Sequence, residues 1–197
     1  GYIQVLNKTT KTSWHGQVCL IAEYQTDPFN NNGIKRLLIG TSHHVVYDDD
    51  AKVPVYGQEK PRVISDESYL VKIVFPDIGI ELLSNQIDMM EIFSTENPKE
   101  EDYAIIVVWK PEKWTQDVRP IMPELNNVIT GANTPVKHYF YTHRHKGAGE
   151  FEGRDILHTS DSLADNNSYQ MEESSVQGDS GCMVYSYKDD LDMLVPV

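Results

Sequence analysis

Short runs of β-branched and aromatic residues, separated by turn-forming residues, recur along almost the whole chain and leave little room for helix. GQVCLIAEY (16–24), RLLIGTSHHVVY (36–47), YLVKIVF (69–75), IGIELL (78–83) and YAIIVVW (103–109) come first. VKHYFYT (136–142), EFEGRDILH (150–158), CMVYSY (182–187) and DMLVPV (192–197) follow. Such runs, bounded by Gly, Pro, Asn and Asp, read as strands. Two segments suit a helix. NQIDMMEIFS (85–94) fits a short helix or a strand equally, and HHVVYDD (43–49) can begin with one helical turn. The expected fold class is all-β, a sandwich or a barrel.

The pattern breaks once. Residues 111–135 carry prolines at 111, 120, 123 and 135 and few alternating positions. Proline removes ladder donors, so this stretch reads as an ordered linker between two β units, 1–110 and 136–197. QTDPFNNNG (25–33) reads as a long hairpin tip, with Asn32-Gly33 suited to a turn that needs positive φ.

Composition narrows the function classes. The 197 residues carry a net charge of −13, from 30 acids and 17 bases. A chain without a basic surplus has no counterions to release from a phosphate backbone, so nucleic acid is not an expected partner. Apolar content of 40% and charged content of 24% suffice for a buried core. No apolar run approaches the length of a membrane span, so no membrane partner is expected. Two cysteines, Cys19 and Cys182, make no disulfide framework, and no Cys/His cluster has zinc-ligand spacing; no metal or cofactor is expected. GYIQVLNKTTKTSW lacks the basic-then-apolar pattern of a signal peptide. These features point to a cytoplasmic or host-cell cytoplasmic setting, with secretion as the alternative. Asn7 and Asn166 head glycosylation-type triplets, a pattern common by chance.

Three polar residues stand at the ends of apolar runs. GTSHHVVYDDD holds His43 and His44, EEDYAIIVVW holds Asp102, and VQGDSGCMV holds Ser180. Each alone has a plain explanation as a turn or surface residue. Together they form a chemical set. Serine attacks a carbonyl when an imidazole takes its proton. A carboxylate holds that imidazole in the right tautomer, and paired amides stabilise the oxyanion. In the glycine-bracketed turn, the amides of Gly178 and Ser180 can supply the oxyanion donors, and Gly181 leaves room beside the nucleophile.

The chain resembles a chymotrypsin-like serine endopeptidase. TSHHVV is similar to the T-x-x-H-V-V of the disulfide-free branch, which includes glutamyl endopeptidases, HtrA-type proteases and viral main serine proteases. EDYAIIVV resembles its D-x-A-[IV]-[IV] strand and GDSG its G-x-S-G turn. The resemblance implies His44 as base, Asp102 as orienting acid and Ser180 as nucleophile. It implies two six-stranded antiparallel barrels with the site in the cleft between them, the second short at its C-terminus. It also implies a protein or peptide substrate and an acyl-enzyme. Regulated or polyprotein-type limited proteolysis fits, with the chain one domain of something larger. Asp179 matches the residue that receives a freshly cut N-terminus in trypsin-type zymogens, but GYIQ is not such a sequence.

For the primary pocket, the resemblance points to Ser174 and Ser175, and the apolar MLVPV adds to an expectation of a small or apolar side chain there. His143 and His145 are further candidates for substrate binding. The plainer expectation is that they sit in an exposed loop with Arg144 and Lys146. Two competing readings are a catalytically silent double barrel used for binding, and a β-sandwich with a chance GDSG. The sandwich would leave His44, Asp102 and Ser180 far apart.

Overall fold

The computed structural model describes residues 1–25, 33–86, 90–98, 101–115, 136–147, 150–164, 168–171, 176–188 and 193–196. Over these residues the chain is built from antiparallel sheets, as the all-β expectation held. Strict alternation explains the first sheet. In β1 (Tyr2–Asn7), Ile3, Val5 and Asn7 turn inward. In β7 (Tyr69–Phe75), Tyr69, Val71, Ile73 and Phe75 do the same. The two strands pair with Val5 opposite Val71 and Ile3 opposite Ile73. With β2 (Ser13–Gln17) and β8 (Ile80–Leu83) they make a sheet in the order β2-β1-β7-β8.

The second sheet runs β3-β4-β10-β9. It contains β3 (Cys19–Gln25), β4 (Lys35–Thr41), β9 (Met90–Ser94) and β10 (Ala104–Trp109). Its apolar face joins that of the first sheet in one core, where Leu37, Ile39, Ile106 and Val108 pack with Ile3, Val71 and Ile73. Each such side chain contributes roughly 1.5–3 kcal/mol through burial. The ambiguous NQIDMMEIFS resolves as a strand at Met90–Ser94, because pairing with β10 satisfies its backbone and packs Met90 and Ile92 on the core. The helical turn expected at HHVV is present as α1 (His43–Val46).

After α1 the chain forms a two-stranded ribbon, β5 (Tyr47–Val55) and β6 (Gln58–Val63). Both of its central turn residues have positive φ, Tyr56 at 49° and Gly57 at 82°, as the twist of a tight hairpin demands. The remaining strands form a sheet in the order β13-β12-β11-β14-β15. These are β11 (Val136–Gly147), β12 (Glu150–Ala164), β13 (Ser168–Met171), β14 (Val184–Lys188) and β15 (Met193–Pro196). Among the described residues the pairings give four open sheets, with no pairing that closes a ring. Of the linker's first residues, Trp114 packs inward: it is buried against Phe75, its ring 5.9 Å away, and its amide bonds the carbonyl of Pro111. Residues 116–135 of the linker and 26–32 of the expected hairpin tip lie outside the described residues.

Candidate active site

Strand register brings two of the three residues together. The antiparallel pairing of β4 and β10 sets Thr41 opposite Ala104. The chain just past β4 must therefore lie beside the chain just before β10. Past Thr41, α1 turns once, with His43, Val45 and Val46 facing the core. The Nε1–H of Trp14 donates to the Val45 carbonyl at 3.0 Å and anchors the turn. With its neighbours held inward, His44 is the residue that faces out, toward Asp102.

His44 meets Asp102 twice. Its amide donates to Oδ1 at 3.1 Å, and its Nδ1 lies 2.6 Å from Oδ2. A carboxylate can only accept, so Nδ1 carries the proton and Nε2 presents its lone pair. The side chains are 50% and 44% exposed, so the pair is wetter than the buried carboxylate–imidazole unit of a serine-protease triad. An ion pair at that exposure is worth about 0–1 kcal/mol, so the surrounding structure must hold the geometry.

Ser180 sits in a double turn. The Asp179 amide bonds the Val176 carbonyl at 3.1 Å, and the Cys182 amide bonds the Asp179 carbonyl at 3.2 Å. Gly178 and Gly181 have φ of 98° and 87°, values that L side chains rarely adopt. Space also demands them. A Cβ on Gly178 would lie 2.2 Å from His15 Nε2. One on Gly181 would lie 2.4 Å from the Gln17 carbonyl and 2.6 Å from Thr41 Oγ1. The same Cβ would be 3.0 Å from the Ser42 amide, so the serine turn packs directly against the entry to α1. The amides of Gly178 and Ser180 donate to no protein acceptor among the described residues.

Asp179 has a structural task that the sequence left open. It is 3% exposed, and its carboxylate accepts the Val176 amide at 3.0 Å, closing the turn on itself.

The residue that sequence reasoning missed is Gln17, only 1% exposed. Its Nε2 donates to the carbonyls of Gly178 (2.7 Å) and His143 (3.0 Å). Its Oε1 accepts the His143 amide at 2.9 Å, and its own amide donates to the Ser180 carbonyl at 2.7 Å. Its carbonyl accepts Thr41 Oγ1 at 2.8 Å. One side chain thus ties β2, β11 and the serine turn. The available signal was a polar residue inside the apolar run GQVCLIA.

The structure therefore joins His44 to Asp102 and seats the turn of Ser180 against Ser42. It does not hydrogen-bond His44 to Ser180: no such bond exists among the described residues. His143 corrects the plainer expectation. It is not in an exposed loop but within β11, 3% exposed, with its ring 5.7 Å from that of Tyr2. Burial lowers its pKa by disfavouring the imidazolium. Ser174 and Ser175 lie outside the described residues.

Alongside α1 opens a cleft of about 780 Å³ whose walls include His43, Tyr47, Lys60, Ser94 and Glu96. Among the described residues no cluster of three or more His, Cys, Asp or Glu could hold a metal ion, and no helix is long and apolar enough to cross a membrane. No protein-family model matches the sequence, and no curated protein matches it.

Proposed function

We propose that the chain is a chymotrypsin-like serine endopeptidase. The observation that carries the reading is the two-point contact of His44 with Asp102, made next to the glycine-bracketed turn of Ser180. In the proposed mechanism, Ser180 Oγ attacks the scissile carbonyl carbon while His44 Nε2 takes the hydroxyl proton. Asp102 keeps the proton of Nδ1 in place and stabilises the imidazolium. The amides of Gly178 and Ser180 receive the oxyanion. The imidazolium then protonates the leaving amine, and the C–N bond breaks to give the acyl-enzyme. Water, deprotonated by His44, attacks the ester carbonyl and releases the acid with Ser180 restored. The missing Ser180–His44 bond forms when substrate closes the site, since catalytic hydrogen bonds commonly tighten only in the complex.

On this reading the first two sheets and their shared core belong to an N-terminal barrel. The third sheet belongs to a C-terminal barrel that carries Ser180, and residues 111–135 link the two. Ser174, Ser175 and the apolar MLVPV favour a small or apolar P1 side chain, with His143 behind the serine turn through Gln17. Limited proteolysis inside a cell, of a partner protein or of a parent polyprotein, is the setting we infer.

A fluorophosphonate probe tests the reading. Labelling of the wild-type protein and none of folded Ser180→Ala supports it. An unlabelled, folded wild-type protein overturns it. That result favours the second reading, a catalytically silent binding cleft, which the unmade His44–Ser180 bond would then explain. Cleavage profiling on a peptide library tests the pocket, and a strict Glu, Gln, Lys or Arg preference refutes the P1 assignment.

A further inference from the structure

The neighbour of the proposed base has its own hydrogen-bond chain, and it runs beside the first. His43 Nδ1 lies 2.5 Å from Ser94 Oγ, and Ser94 Oγ donates to the carbonyl of Tyr103 at 3.0 Å. A hydroxyl has one proton. Because Ser94 gives it to Tyr103, the proton in the His43–Ser94 bond must come from Nδ1, which fixes the tautomer of His43. The ring is stacked on Tyr47, centroids 4.3 Å apart and planes within 12°. His43 is 9% exposed, whereas the side chains of His44 and Asp102 are about half exposed.

Resting on the endopeptidase reading, we propose that His43 is a positioning residue. Its ring, bonded through Ser94 to the Tyr103 carbonyl, clamps residues 43–44 onto residues 102–103 and so fixes the His44–Asp102 contact. The sequence makes the two chains parallel: His43 precedes His44, and Tyr103 follows Asp102. A shift of the helical turn that would break the His44–Asp102 pair must also break the His43–Ser94 bond, whose imidazole is the less exposed of the two. Ser94, on β9, supplies the middle link because β9 and β10 pair with Ser94 opposite Ala104.

Three variants test the clamp. Ser94→Ala removes the relay. His43→Phe keeps a ring on Tyr47 without the donor. His43→Asn keeps an N–H at the place of Nδ1. The first two lower kcat about tenfold or more with KM unchanged, as expected when a catalytic group drifts by a fraction of an ångström, while His43→Asn stays within about threefold of wild type. The double variant His43→Phe/Ser94→Ala loses no more than either single one, because both break one chain. Wild-type kcat in folded Ser94→Ala, losses carried by KM, or multiplying losses in the double variant overturn the proposal. If His43→Phe does not fold, Ser94→Ala decides.

Proton NMR separates this proposal from the endopeptidase reading. The His44 Nδ1–H signal, visible downfield in wild type, broadens by solvent exchange in Ser94→Ala if the clamp exists. A protein that neither labels nor cleaves refutes the endopeptidase reading and leaves the clamp to this signal. Its persistence unchanged in Ser94→Ala refutes the clamp whatever the enzyme does.

Discussion

Gly181→Ala isolates the packing of the serine turn from the strain within it, provided it is compared with Gly57→Ala. The two glycines have nearly the same φ, 87° and 82°. A side chain there costs roughly 1–2 kcal/mol in left-handed strain, offset by about 0.4–1 kcal/mol from a less flexible unfolded chain. At Gly57 that is the whole effect, because a Cβ meets nothing within 4 Å. At Gly181 the Cβ lies 2.4 Å from the Gln17 carbonyl, and strand backbone cannot swing aside as a side-chain tip can. Overpacking of this kind adds roughly 1–3 kcal/mol. Gly57→Ala should therefore cost about 0–1.5 kcal/mol, and Gly181→Ala about 1–3 kcal/mol more than that. With a urea slope of about 2–3 kcal/mol/M, the midpoints should differ by roughly 0.3–1.5 M. Urea unfolding followed by tryptophan fluorescence measures this, and Gly181→Ala should also slow labelling of Ser180. Equal midpoints for the two variants would refute the packing of the turn against Gln17 and Thr41.

Three further predictions follow from other groups. Burial pushes the Asp48 carboxyl up, but hydrogen bonds from Asn7, Tyr69 and the amides of Ala51 and Asp50 outweigh it and hold its pKa below the usual value. Its stabilisation is thus present above an unfolded value of about 3.9 and lost as pH falls through the lower folded value, so Asp48→Asn should flatten the acid limb of stability. An unchanged limb in urea titrations from pH 6 to 2 counts against it. For His143, burial lowers the folded pKa, so the unfolded chain takes up the proton first and stability falls as pH drops below about 6.5. His143→Leu should lose that slope between pH 7.5 and 5.5 in thermal melts, and a slope equal to wild type excludes His143 as its source. Burial raises the Cys19 thiol pKa, and its Sγ donates to the Gly40 carbonyl, so iodoacetamide at pH 8 should alkylate it far more slowly than in urea. Equal rates with and without urea would show that the thiol is open.

Which parts of the fold could be read from sequence depends on what each strand packs against. RLLIG and AIIVV were legible because strands inside a core are apolar almost throughout, and they became the paired β4 and β10. YIQVLN was passed over because its burial alternates but its polarity does not, with Leu6 on the outer face and Asn7 on the inner, and β7 must be present to show which face is buried. The β5–β6 ribbon hides in the charged DDDAKVPVYGQEKPRV, and Tyr-Gly is a less familiar pair for its turn than Asn-Gly. At the candidate site, the spacing of apolar strands made His44 and Asp102 stand out, and strand register put them in contact. Gln17 and Ser94 could not be assigned partners from sequence, since main-chain groups and, for Ser94, the His43 ring are brought near them only by the fold.

The Gln17 bridge also has a consequence in time. Chains leave the ribosome N-terminus first, at about 5–20 residues per second. Both partners of the His44–Asp102 contact lie before residue 110, whereas the acceptors of the Gln17 side chain belong to Gly178 and His143. On the order of several seconds separate the two in synthesis at that rate. During that interval the proposed base and its acid exist without a nucleophile, and Gln17 waits in water. The bridge from β2 to the turn of Ser180 can therefore close only after residue 178 has been made, so the candidate site is completed late, by a contact between segments far apart in the chain.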